Sequence, residues 1–356
     1  MYNQALERDK NKSIEFAEFN PDQKYKSESW MDSAKAILNE GPEWLKAIPY
    51  QVKKMAVNEF FINLSTNKKK AKRKAIAKFE MKFKSRRNPA QSVYIPKSAI
   101  SSQGVYHRIL GKLKMSEDFP IGEICDSKFI LENGRYYLCL VYKTTVRRVE
   151  NQARRVVALD PGVRTFMTGF TEGEAFKLGE QAFARIARLC YHLDKLYSKI
   201  KLANARRRYR LRKAAARMRW KLVDLIDEMH WKIIRFLVDN YDLILLPSFE
   251  TSQMSSRLKR RISRKSVRNM LSLKHYQFKM RLKNKCETEG VVFVEVNEAF
   301  TSKTASWTGE VVYNLGSATT ITSGGVTVDR DVNGARGIFL RALGDNPALR
   351  AHSSRI

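Results

Sequence analysis

Asp160 is the first residue with chemistry to offer. It follows the apolar run Val156, Val157, Ala158 and Leu159, so an extended chain carries its carboxylate to the end of a buried strand, where an ionised acid without partners is costly. Phosphodiester cleavage assisted by two Mg²⁺ ions needs a few such acids converging on ions about 3.5 to 4 Å apart, placed on strand ends or helix starts. The next two residues, Pro161 and Gly162, leave a second reading open, in which Asp160 is only a turn former. Asp331 stands at the expected N-cap of a last helix over residues 331–343. The five histidines, at 107, 192, 230, 275 and 352, are too dispersed for a metal cluster, and His230 reads as an ordinary helix residue.

The elements that must position these acids belong to a strongly basic chain. Its 356 residues carry 67 Lys plus Arg against 36 Asp plus Glu, a formal net charge of +31. With 43% hydrophobic residues the chain has the material for a core, which excludes wholesale disorder. Such charge on a folded chain calls for a polyanion, most commonly nucleic acid. Residues 1–24 are polar and no apolar run reaches 18 residues, so neither secretion nor membrane spanning is expected. The four cysteines, at 125, 139, 190 and 286, fit neither a metal knuckle nor a disulfide scaffold and are expected to be reduced and mostly buried.

Residues 28–64 read as helical with a break at Pro49, and the run KKKAKRK follows, with Lys68, Lys69, Lys70, Lys72, Arg73 and Lys74. That run is a solvated charge face, a phosphate contact or a nuclear address. Period-two alternation at Phe79, Met81 and Phe83, and again around 121–124 and 136–142 with Asn133-Gly134 as a tight turn, predicts a small β-barrel. From residue 154 the pattern is strand, turn, strand, then helices at 183–200, 203–219 and 221–238, and further strands at 243–246 and 291–296. The middle helix carries Arg206, Arg207, Arg208 and Arg210. A third basic tract holds Arg257, Lys259, Arg260, Arg261, Arg264 and Arg268. These tracts suit phosphate-contacting surfaces.

The segment VVALDPGVRTFMTGF resembles the first RuvC motif of the RNA-guided nucleases called Fanzor and of their transposon-encoded TnpB relatives, kin of type V CRISPR effectors. LILLPSFETSQM at 243–254 resembles the second RuvC region, NEAFTSKT at 297–304 the entry to a zinc-ribbon insertion, DRDVNGARGIFLRAL at 329–343 the third motif, and IPYQVKKMAVNEFF at 48–61 a recognition-lobe helix. The resemblance implies an α/β RNase H-like (RuvC) nuclease domain plus an N-terminal β-barrel (wedge) with an inserted helical recognition lobe. It divides the chain into 1–27 (wedge), 28–75 (lobe), 76–150 (wedge barrel), 151–298 (RuvC), 299–328 (zinc-ribbon remnant) and 329–356 (RuvC helix and tail).

The same resemblance makes Asp160 the first catalytic acid and Asp331, in D-x-N with Asn333, the third, leaving Asp329 as a turn or cap residue. The usual middle glutamate is replaced by Pro247, so Glu298 is first choice for that acid and Glu250 second. It implies Mg²⁺ as cofactor, a guide (omega) RNA and double-stranded target DNA as partners, no membrane, and a monomeric protein in the ribonucleoprotein. The compartment is the nucleus in a eukaryotic source and otherwise the cytoplasm or nucleoid. Ala305 and Thr308 stand where zinc-ribbon members place a Cys-x-x-Cys pair, and residues 305–328 hold neither Cys nor His. No zinc is therefore expected, and a small hairpin replacing metal by packing is. The function implied is an RNA-guided DNA endonuclease cutting next to a short adjacent motif. Its alternatives are a catalytically impaired RNA-guided DNA-binding protein and an unguided RNase H-fold recombinase.

Overall fold

The computed structural model describes residues 1–19, 26, 29–77, 79–85, 88, 90–119, 122–146, 155–249, 264–296, 303–316 and 318–345. The chain divides into two units, Met1–Thr144 and Thr145–Ile356.

In the first unit, helices α1 (Tyr2–Phe19), α2 (Trp30–Glu40) and α3 (Tyr50–Lys72) bury Leu6, Ile37, Val57, Phe60 and Leu64 against one another. Pro49 stands at the N-cap of α3, where a missing N–H costs nothing. The region expected to open the wedge is thus helical at α1. The expected strand at Phe79 to Phe83 does not form. Phe79 and Met81 instead join the helical core, Lys10 lies 5.4 Å from the Phe83 ring, and the Lys84 amide donates to Asn3 Oδ1 at 2.7 Å. A segment outside any sheet can also direct alternate side chains into a core, so the period alone does not establish a ladder strand.

The strands that do form are β1 (Ala90–Ile95), a short hairpin of β2 (Ile100–Ser101) and β3 (Gly104–Val105), and, after the single turn α4 (His107–Leu110), β4 (Ile124–Glu132) and β5 (Arg135–Tyr142). Among the described residues they make a three-stranded antiparallel sheet, β1-β4-β5, and the separate two-stranded hairpin rather than the expected barrel. Asn133 and Gly134 link β4 to β5 with φ of 50° and 89°, the left-handed pair that a two-residue turn requires.

The second unit is built on a five-stranded sheet of order β10-β9-β6-β7-β8. Strands β6 (Val156–Pro161), β7 (Met167–Phe170) and β8 (Ala175–Leu178) run antiparallel in sequence. Strand β9 (Leu243–Pro247) lies parallel to β6, and β10 (Val292–Val296) parallel to β9. This is the RNase H-like arrangement. One face, with Val157, Leu159, Met167, Ile244 and Leu246, packs on α5 (Glu180–Leu202), α6 (Ala205–Asn240) and α8 (His275–Glu289), while α7 (Arg264–Ser272) adds its own buried side chains Val267 and Met270. The last helix, α9 (Arg330–Asp345), covers the other face through Ile338, Phe339 and Ala342 against Ala158, Leu243 and Leu245. Between β10 and α9, β11 (Thr320–Ser323) and β12 (Val326–Asp329) form the expected hairpin.

Two helices expected over 203–238 are one helix of 36 residues. Of the four cysteines, Cys190 and Cys286 are buried, Cys125 is half-buried and Cys139 exposed, all of them free thiols. No helix among the described residues is long and apolar enough to cross a membrane.

His230 is a residue of α6, as expected, and is fully buried. Its Nε2–H donates to the Leu273 carbonyl at 2.9 Å, and Nδ1 lies 3.2 Å from Arg281, which also pairs with Asp227. Phe166 stacks between His230 and His275, with ring centroids 5.1 and 4.8 Å away. Burial pushes both imidazoles down to about 4. Below the ordinary value of about 6.5 the unfolded chain takes up protons that the folded chain refuses, so stability is full above that value and is lost as pH falls towards 4. The loss is on the order of 3 kcal/mol per imidazole. Urea-unfolding midpoints should fall between pH 7 and pH 5, and His275→Phe should flatten that slope.

Candidate nuclease site

Asp160 lies within β6, paired with Thr168 of β7, so the turn begins only after Pro161 and the turn-former reading is set aside. Its position shares a face with Ala158, the face that α9 covers. There Gly334 of the helix lies against it: a Cβ built on that residue would lie 2.5 Å from Asp160 Oδ2 and 3.1 Å from Cγ. Any side chain at this position would have to displace the carboxylate or the backbone. Asp331 precedes Gly334 by three residues, one turn earlier on the same side of α9. The sheet and this helix therefore bring the two acids to one side of the fold.

The N-cap falls at Asp329, not at Asp331. Asp329 Oδ1 accepts from the amides of Asp331 at 2.9 Å and Val332 at 3.3 Å, while Oδ2 pairs with Lys177 Nζ at 2.8 Å. Burial raises the Asp329 pKa, but the ammonium and the two amides together outweigh it and hold the carboxyl below its usual range. With the cap supplied by Asp329, the Asp331 side chain is not spent on the helix end.

Asn333 is 1% exposed and ties α9 to the insertion, accepting from the Ser306 amide at 2.9 Å and donating to the Thr304 carbonyl at 2.8 Å. Arg336 adds a bond to Ser306 Oγ at 2.9 Å. Inside the insertion, Ala305 is buried with Leu315 and Ile321. The Thr308 and Ser323 hydroxyls meet at 2.6 Å, Ser323 donates to Glu310 at 2.6 Å, and the Trp307 indole donates to the Ser323 carbonyl. Packing and hydrogen bonds occupy the two positions where the resemblance would place cysteines.

Carboxylate oxygens are the ligands that hard cations such as Mg²⁺ take, and the gap at Gly334 leaves Asp160 its place beside the helix, so the donor set fits that ion. Among the described residues no group of three or more metal-ligating side chains converges. Both candidates for the remaining acid, Glu250 and Glu298, lie outside the described residues; Glu298 follows by two positions the β10 end, where Val296 pairs with Pro247.

Of the basic residues, Lys68, Lys69, Lys70 and Lys72 are exposed on the last turns of α3, with Arg73 and Lys74 just beyond, a position that also suits the helix dipole. Arg206, Arg207 and Arg210 are exposed at the start of α6, and Arg208 is half-buried. Arg268 is engaged by the fold, paired with Asp194 and 3.5 Å from the Cys190 carbonyl. Arg257, Lys259, Arg260 and Arg261 lie outside the described residues, as does the Arg264 side chain. Lys177 and the anchoring role of Asn333 escaped the sequence reading. The D-x-D-x-N spacing of 329–333 was the one signal for a separate cap.

Replacing Gly334 with Ala should gain about 1 kcal/mol of helix propensity but force a backbone or carboxylate shift costing about 1–3 kcal/mol. Urea unfolding should show net destabilisation, and a stabilised variant would refute the close approach.

A family model described as Cas12f1-like, TNB domain matches residues 275–338. A protein of Paramecium bursaria Chlorella virus 1 carrying the name "Putative transposase" is 30% identical over 322 residues, 86% of this chain and 72% of that protein. A TnpB-like protein of Acanthamoeba polyphaga mimivirus is 26% identical over 212 residues, 58% of this chain and 41% of its own length. A cryo-EM structure of a Cas12f1–sgRNA–target DNA complex aligns over 95% of this chain and 92% of that chain with 14% identity and a TM-score of 0.35, below the level at which whole folds superpose. The sequence kinship over most of its length makes this chain a member of the TnpB-like, Cas12-related family.

Proposed function

We propose that the chain is an RNA-guided DNA endonuclease, which binds a guide RNA and cuts matched double-stranded DNA next to a short adjacent motif. The observation that carries this reading is the seating of the Asp160 carboxylate against Gly334, one turn from Asp331. A fold that only bound nucleic acid has no need of an acid at this position against a net charge of +31. Kinship to TnpB-like proteins supports the same class of activity.

Asp160 and Asp331 would hold divalent ions, with Glu298 as the first candidate for the remaining ligand and Glu250 the second. When bound, a Mg²⁺ pair supplies an activated water and stabilisation of the departing oxygen. The chain's own part is to fix the acids: β6 carries one, the cap at Asp329 orients the turn that carries the other, and Gly334 sets their approach. The exposed cations at 68–74 and 206–210 neutralise phosphates without reading sequence, which leaves target choice to base pairing.

Purified ribonucleoprotein incubated with matched duplex should cut in Mg²⁺ and not in EDTA. Asp160→Ala and Asp331→Ala should each slow cutting at least on the order of a hundredfold while leaving RNA binding intact. An Asp160→Ala variant that cuts at the unsubstituted rate places the chemistry elsewhere. Parallel Glu298→Ala and Glu250→Ala variants identify the middle acid.

A further inference from the structure

Resting on the nuclease reading above, we propose that the Lys177–Asp329 ion pair sets the net charge of the carboxylate centre, with Lys177 holding down its affinity for divalent cations until nucleic acid arrives.

The argument begins with register. Asp160 pairs with Thr168, and Thr168 with Lys177, so the three residues form one row across β6, β7 and β8. Directly opposed residues of antiparallel strands share a face, and this is the face that α9 covers. The Lys177 ammonium thereby reaches Asp329 Oδ2 at 2.8 Å, while Oδ1 of the same carboxylate binds the Asp331 amide at 2.9 Å. It is also within electrostatic reach of Asp331 and Glu180. A lysine that served only solubility would not sit one carboxylate away from the helix start that carries a metal ligand.

The pair is about one-third exposed on each side and contributes little to stability as a bridge. Its larger effect is on the charge that an incoming cation meets. With Lys177 in place the Asp329 charge is cancelled, and the centre presents one negative charge fewer than its acids carry. A divalent ion then binds weakly to the protein alone. A phosphodiester laid beside the acids brings negative charge of its own and offsets the lysine, which couples metal loading to the arrival of the strand.

The two halves of the pair predict opposite signs. Lys177→Met exposes the Asp329 charge and should tighten Mn²⁺ binding on the order of three- to tenfold, as expected for one unit charge near a divalent ion. Asp329→Asn keeps a capping oxygen but leaves the ammonium unpaired, and should weaken binding by a similar factor. The double variant should return to within about twofold of the unsubstituted chain, and Lys177→Arg should match it.

The measurement is Mn²⁺ titration of the full RNA-free chain followed by electron paramagnetic resonance, with the Asp160→Ala, Asp331→Ala double variant as background. Circular dichroism melts run alongside. The Mg²⁺ concentration for half-maximal cutting by the ribonucleoprotein should move in the same directions. Both single variants weakening together would show a merely structural pair and overturn the proposal, as would Lys177→Met leaving binding unchanged. A Lys177→Met chain that, like the unsubstituted one, binds no Mn²⁺ above background overturns this inference alone, whereas a ribonucleoprotein that fails to cut matched duplex in Mg²⁺ overturns the nuclease reading.

Discussion

The second unit is organised around the space that a missing side chain leaves between a helix and a carboxylate. Helix α9 packs on the sheet with Gly334 directly against the Asp160 carboxylate, where a Cβ would lie 2.5 Å from Oδ2. Everything in the stretch 329–336 serves that approach. Asp329 closes the helix start, Asp331 projects from the first turn, Asn333 bonds the insertion to the helix, and Arg336 adds a second tether to Ser306. A bulkier residue at 334 would have to move either the Asp160 carboxylate or the helix, and a close-packed layer resists both.

Much of this was legible in the residues. The apolar runs at 156–159, 243–246 and 291–296 are strands of one sheet, because short apolar runs bounded by turn residues have few other uses in an α/β layer. The Asn133-Gly134 turn and the insertion hairpin lie where their residues placed them. The break expected near residue 220 is absent for a local reason: Arg, Ala, Lys and Leu are all strong helix formers, no Gly or Pro interrupts them, and only the side-chain polarity changes there. Polarity marks what a helix faces, not where it ends.

What stayed hidden depends on contacts far apart in the chain. Nothing near Lys177 signals its partner, since Asp329 is 152 residues away and the two meet only through the register of three strands. The cap, by contrast, is local and partly legible: the sequence reading leaves Asp329 as a turn or cap residue, and the first acid of an acid-x-acid pair reaches the free amides of the turn after it. The segment at 79–83 shows the reverse failure, a strand-like pattern whose apolar side chains Phe79 and Met81 pack on helices instead of a ladder.

The continuity of α6 has a mechanical consequence. A straight helix of 36 residues spans about 54 Å, and apart from Ala215 its fully buried side chains begin only at Ile226. The arginine-bearing end therefore stands off from the sheet as a rigid boom, with α5 packed alongside. Any force applied at that end would be delivered along an unbroken rod into the layer that supports β6, without a joint to absorb it.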